Sequence, residues 1–182
     1  MPTPSQLVLI RAAIDADPAL SSMPQTSSGA DAIATALNAT ANPAFVVWQS
    51  STSAQVIFDA VSWANLTPAD APDGTTLWTN RALACQGKQF NLQTILAGRE
   101  TISSNKASIR AGLQDALTSL PSGTGGVLRS GGWATVQTAM QRNATRAEKA
   151  LITSGAGTTG SPGNLGFEGQ LSYVDIQDAR AL

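Results

Sequence analysis

Three consecutive pieces of the chain decide how it is divided: Asn143-Ala-Thr-Arg-Ala-Glu-Lys-Ala-Leu151, Ser154-Gly-Ala-Gly-Thr-Thr-Gly-Ser-Pro-Gly163 and Phe167-Glu-Gly-Gln-Leu-Ser-Tyr-Val-Asp-Ile176. The first reads as a charged helix end. The second reads as a hinge, because glycine has the greatest backbone freedom of any residue. The third is apolar again, with Phe167, Leu171, Tyr173, Val174 and Ile176. An apolar segment behind a hinge either docks on another chain or folds back on its own body, and both are common for terminal segments. The pattern predicts a body over residues 1–152 and a hinge with a docking arm over 153–182, whose partner-binding residues are those five.

Upstream, the periodicity is helical. Pro4 opens a helix with Leu7, Ile10, Ala13 and Ile14 on one face, and Pro18 ends it. A second helix starts near Ser27–Asp31 and turns Ile33, Ala36 and Leu37 inward, closing at Asn38 and Asn42-Pro43. Phe45–Trp48 fits a strand or a helix start. Thr52–Trp63 carries Val56, Ile57, Ala60 and Val61 on one stripe, and turns follow at Thr67-Pro68 and Pro72–Gly74. The longest candidate spans 75–96; Gly87 weakens its middle by about 1 kcal/mol relative to Ala, and Gly98 ends it. Behind a cap at 103–105, Ile109, Leu113, Ala116, Leu117 and Leu120 form a clean helical stripe. After a loop at 121–126, a last helix is expected from Trp133 to Ile152, with Val136, Met140, Ala144, Ala147 and Leu151 inward. The fold class expected is mainly α: a helical bundle with a flexible C-terminal arm, and room for one short hairpin.

Composition narrows the chemistry. Charged residues are 13% of the 182, against about 25% in ordinary soluble proteins. Low charge suits a subunit whose surface is covered by neighbours, since an isolated surface relies on mixed charge for solubility. The net charge of -1 divides into about -5 over 1–80, +6 over 81–149 and -2 over 150–182. That asymmetry suits packing between complementary subunits, a basic face toward an anion, or neutralisation within one fold. With no histidine, His-dependent acid–base and nucleophilic catalysis is excluded. A zinc site is disfavoured for the same reason. A single cysteine forms no internal disulfide, which fits a reducing compartment, and Cys85 among Leu83 and Ala84 reads as a core residue. The start, Met1-Pro-Thr-Pro-Ser5, has no signal-peptide pattern. No run approaches eighteen apolar residues, so no membrane contact is expected. The three N-x-T sequons, at Asn38, Asn65 and Asn143, are set aside accordingly.

Gly155-Ala-Gly-Thr-Thr-Gly160 matches the dinucleotide fingerprint literally. That fingerprint needs a strand before it and a helix beginning inside it. A charged helix precedes it here and Ser161-Pro-Gly follows, so no cofactor is expected. Glu100, Glu148 and Glu168 are the only glutamates, and nothing brings two together for glycosidase-type chemistry. No catalytic or metal-binding residue is expected. Trp48, Trp63 and Trp78 read as core anchors; a base-stacking platform would interleave them with Lys and Arg.

Several stretches resemble a family of small virion proteins of tailed bacteriophages. They are Leu9-Ile-Arg-Ala-Ala-Ile-Asp-Ala-Asp-Pro-Ala-Leu20, Ala32-Ile-Ala-Thr-Ala-Leu-Asn38 and Asn42-Pro-Ala-Phe-Val-Val-Trp48, with Ser108–Leu113, Ala144–Lys149 and Phe167–Asp175 further on. The resemblance covers most of the chain, apart from 85–103. It implies a head-to-tail connector, or adaptor: a non-enzymatic virion neck protein that forms a dodecameric ring beneath the portal protein around the DNA channel. It also implies a mobile C-terminal arm that docks on the portal, contact with tail or nozzle proteins, and synthesis in the host cytoplasm. A tail-completion or tail-terminator ring protein shares the size and context, and a small DNA-packaging protein is a third reading. The basic candidates for a DNA-channel or inter-subunit face are Arg99, Lys106, Arg110, Arg142, Arg146 and Lys149. Within this set, Lys106 with Arg110 and Arg142 with Arg146 are spaced i, i+4 and would share a helix face.

Overall fold

The computed structural model describes residues 1–66, 78–121 and 128–182. The turns read at 67–74 and the loop at 122–126 lie outside the described residues, as do the side chains of Trp78 and Arg81. In chain order the elements are α1 (Pro4–Asp15), α2 (Pro18–Ser21), α3 (Ser27–Asn38), β1 (Val46–Trp48), β2 (Thr52–Ser53) and α4 (Ala54–Ala60), then a 3-10 turn at Trp63–Leu66. There follow α5 (Trp78–Leu96), β3 (Thr101–Ile102), α6 (Ala107–Leu117), β4 (Leu120–Pro121), β5 (Leu128–Arg129) and α7 (Trp133–Ala139). The chain ends with β6 (Gln141–Asn143), α8 (Arg146–Ala150), β7 (Ile152–Ser154), β8 (Asn164–Leu165) and α9 (Tyr173–Arg180). The strands pair two by two and antiparallel: β1 with β6, β2 with β3, β4 with β5, and β7 with β8. The fold is helix-rich but mixed, with short strand pairs in addition to its helices.

The chain forms two compact units, Met1–Trp48 with Gln141–Leu182, and Gln49–Met140. The boundary expected at 152/153 is therefore corrected. The C-terminal segment belongs to the first unit because its apolar side chains complete that unit's core. In α1, Thr3 accepts from the Gln6 N–H while the Gln6 side chain accepts from the Thr3 N–H, closing a reciprocal cap. Its buried face, Ile10 and Ile14, packs with Ile33 and Leu37 of α3, Ala147 of α8, Leu151, Leu171, and Ile176 and Ala179 of α9. Polar contacts fix the returning segment. The Asn38 side chain both donates to the Leu171 carbonyl and accepts from its N–H, each at 2.8 Å. Gln6 donates to the Gly166 carbonyl at 2.7 Å, and Arg180 donates to the carbonyls of Met23 and Pro24.

The second unit packs α5 against α6, and α7 against α4 and α6. Ile57, Leu66, Leu92, Leu113, Leu117, Leu120, Val136 and Met140 are fully buried. Cys85 is buried too, as its sequence setting indicated, and burial pushes its thiol pKa up. Ser104 ties the β2 and β3 region together: its hydroxyl meets that of Thr52 at 2.8 Å and donates to the Gln49 carbonyl, while its own carbonyl accepts from Arg110.

Two expectations fail for identifiable reasons. The last helix does not run from Trp133 to Ile152. It breaks after α7, and Gln141–Asn143 becomes a strand in register with Val46–Trp48. Helix restarts at α8, where Thr145 and Glu148 form a reciprocal cap. The Gly-rich hinge is an ordered loop. Val46 donates to the Gly157 carbonyl, Trp48 to that of Gly163, and Gly163 donates back to Val46, so β1 is bonded on both edges. Gly155 and Gly157 have φ of 95° and 73°. A Cβ at Gly157 would lie 2.2 Å from the Phe45 ring, and one at Gly163 would lie 2.8 Å from it. The glycines make room for Phe45 as much as they turn the chain.

Gly157→Ala is expected to lower stability by about 2–4 kcal/mol, combining a left-handed backbone with overpacking. Phe45→Ala should relieve the overpacking part, so a double-mutant cycle read by urea unfolding will be non-additive; additive losses would mean that the ring contact is not the constraint. Ile176→Ala should cost about 2–5 kcal/mol as a core deletion, measured the same way.

Candidate functional site

The densest polar constellation lies in the first unit. Glu148, at the third position of α8, is 2% exposed. Its carboxylate accepts from both terminal nitrogens of Arg142 on β6, each at 2.7 Å, and from the N–H groups of Thr145 at 2.9 Å and Gly169 at 3.4 Å. Arg142 donates also to Glu168 at 2.9 Å. A bidentate guanidinium–carboxylate pair is among the strong hydrogen-bonded contacts. Burial pushes the Glu148 pKa up, but Arg142 and the two backbone donors outweigh it and hold the carboxyl below the ordinary glutamate range. The same contact, led by the Glu148 hydrogen bonds, pushes Arg142 up. Glu148 and Glu168 are thus brought together, which the sequence did not foretell, but across a guanidinium that neutralises them. The arrangement is a structural clamp, without a free acid or base.

The basic candidates separate into different settings. Arg142 and Arg146 do not share a helix face: Arg142 is on a strand, and Arg146 begins α8 and binds Asp17 at 2.5 Å. That hydrogen bond, with the Ala19 N–H, lowers the Asp17 pKa. The break after α7 explains the difference, since the i, i+4 relation needs continuous helix. Lys149 lies over the Phe45 ring, 5.6 Å from its centroid. Arg99, Lys106 and Arg110 belong to the second unit. Arg99 and Lys106 are exposed. Arg110 is half-buried, donates to the Ser104 carbonyl, and has its pKa lowered by burial. Lys106 caps α6 and precedes it, so only Arg110 of this pair stands on the helix.

The arm residues divide likewise. Leu171 and Ile176 are buried in their own unit and Phe167 is packed on the same core. Folded this way they are core residues, which corrects their reading as partner anchors. Tyr173 and Val174, at the start of α9, face outward. Sequence reasoning passed over Val8 and Leu9 on α1, Phe58 on α4 and Phe90 on α5, which the fold exposes; Val56, read on one stripe with the buried Ile57 and Val61, is exposed as well, and so is Leu83 on α5. Leu83 and Phe90, both about two-thirds exposed, are seven apart and so stand on one side of the helix. On the same helix Cys85 and Leu92 are the core residues. Among the tryptophans, Trp48 is buried, whereas Trp63 is half-buried and pairs with Phe58, ring centroids 4.5 Å apart.

Among the described residues no cluster of His, Cys, Asp or Glu could hold a metal ion, and no helix is long and apolar enough to cross a membrane. No protein-family model, curated protein or solved structure matches the chain.

The Glu148 clamp carries a pH signature. Because its folded pKa is lowered, its stabilisation is present at neutral pH and is lost as pH falls through the folded-state value. Glu148→Gln should cost about 2–3 kcal/mol at pH 7, less than a fully buried pair because Arg142 is part-exposed and keeps Glu168. The gap to wild type in urea unfolding should narrow as pH falls below the ordinary glutamate range. A gap independent of pH would refute the clamp.

Proposed function

We propose that this chain is a structural subunit of a tailed-bacteriophage virion, a head-to-tail adaptor that closes a ring between portal and tail around the DNA channel. The observation that carries the assembly part of this reading is the set of large apolar side chains standing free on helix surfaces, with Leu83 and Phe90 on α5 the most exposed pair of this set on one element. Exposed apolar surface marks interaction sites where it gathers in a patch. It occurs in a chain with only 13% charged residues, so neighbours in a ring would cover surface that charge does not protect. The resemblance of the Leu9–Leu20, Ala32–Trp48 and Phe167–Asp175 stretches to connector proteins supplies the particular assembly.

In this reading the helices act as rigid packing elements, as in a helical-bundle adaptor. The chain performs no catalysis and requires no cofactor. Its partners are its own copies, in a dodecamer, with the portal protein on one side and tail or nozzle proteins on the other. Within the C-terminal segment, the outward-facing Tyr173 and Val174 are the residues left to meet the portal. Contacts with the genome are non-specific and made to phosphates, since DNA must slide through the channel.

Native mass spectrometry of the purified chain over a concentration series should show a closed oligomer of identical subunits. The double substitution Leu83→Lys with Phe90→Lys should abolish it and leave the thermal midpoint within about 2 °C, because exposed substitutions seldom change stability much. A chain that stays monomeric throughout, or one whose oligomer tolerates both lysines, would contradict the reading.

A further inference from the structure

The second unit contains a cleft of 250 Å³ between the end of α5 and the start of α6. Arg99 and Lys106 stand on its wall, with the hydroxyl-bearing Thr101 and Ser103 between them in the chain. Among the described residues neither cation has a carboxylate partner. The nearest acid in sequence, Glu100, does not line the cleft. Thr94 also lines it, but its hydroxyl donates to the Phe90 carbonyl. The remaining lining is Ile95, Ile102 and Ile109. The chemistry is one-sided: the lining carries a guanidinium, an ammonium and two hydroxyls, and no carboxylate.

We propose that this cleft binds a phosphate group. A guanidinium fork and an ammonium together offer more donors than the two oxygens of a carboxylate can accept, whereas a phosphate presents oxygens in several directions. The start of α6 adds to this. Its cap residue is Lys106, which makes no side-chain hydrogen bond to the first turn, so no side-chain oxygen there competes with an incoming anion. The phosphate can come from a nucleic-acid backbone or from a free phosphate or phosphoester, which present the same oxygens. The proposal stands apart from the ring assembly, since it concerns a cleft within one unit of one chain.

Isothermal titration of the full chain with sodium phosphate, against sodium chloride at matched ionic strength, should give saturable binding with a dissociation constant on the order of 1 mM. Arg99→Gln with Lys106→Gln should weaken it at least about tenfold, the loss of two charged hydrogen-bond donors, and leave the thermal midpoint without phosphate unchanged. A short DNA duplex then distinguishes the sources. Competition with phosphate for the wild type but not for the double variant identifies a backbone contact; no competition identifies a free-phosphate site. Absence of saturable phosphate binding, or equal binding by the double variant, overturns the proposal.

Discussion

The Arg142–Glu148 pair is the contact on which the first unit is organised. Glu148 is removed from water at the start of a one-turn helix, where an unpaired charge would be costly. It is tolerated because Arg142 meets it with both terminal nitrogens and because the N–H groups of Thr145 and Gly169 complete its shell. Each partner comes from a different place. Arg142 sits on β6, whose pairing with β1 sets where it points. Thr145 caps the helix that carries Glu148. Gly169 and Glu168 belong to the returning C-terminal segment. One carboxylate thereby fixes a strand, a helix start and a terminal segment in a single arrangement. Apolar contacts supply most of the packing energy, through Ile10, Ile33, Leu171 and Ile176. The hydrogen bonds to Glu148 add direction to that packing, as do those of Asn38 to Leu171.

Much of this was legible in the residues, and the part that was not has a physical pattern. Helices with long apolar stripes were readable: α1 and α3 begin and end close to where Pro4, Pro18, Ser27 and Asn38 placed them, and α6 carries the expected Leu113, Ala116 and Leu117 face. The last helix was misjudged because Val136, Met140, Ala144, Ala147 and Leu151 keep a helical period across a strand. Pairing with Val46–Trp48 overrode that local preference. The signal was present: Thr145-Arg-Ala-Glu148 has the spacing of a capping box, which marks a helix start where a helix interior was assumed. The glycine loop was misjudged for the opposite reason. Glycine allows freedom, but it also allows close approach, and only the position of Phe45 shows that Gly157 and Gly163 serve the second purpose. The Asn38 clamp on Leu171 spans 133 residues of sequence, beyond the reach of any local pattern.

The candidate residues follow the same division. Exposure on the second unit was partly foreseeable, because Arg99 and Lys106 flank a short polar connection where a surface position is the default. The fate of Arg142 and Arg146 was not, since their charges are answered by Glu148, Glu168 and Asp17 from elsewhere in the chain. Part of the +6 of the middle segment is neutralised inside the first unit, and Arg99 and Lys106 stand exposed on the second. Likewise the apolar C-terminal segment is divided, with Leu171 and Ile176 turned inward and Tyr173 and Val174 outward. A segment of this kind can hold its own fold together and still present a surface to a neighbour.

Amide hydrogen exchange across residues 164–180 tests this account most directly. If the C-terminal segment is part of the first unit's core, the Leu171 amide, held by Asn38, and the interior amides of α9 should exchange as slowly as those of α1 and α3, because they open only when that unit unfolds. Exchange of the whole segment at the rate of an unprotected chain, while α1 and α3 remain protected, would show a free arm and contradict it.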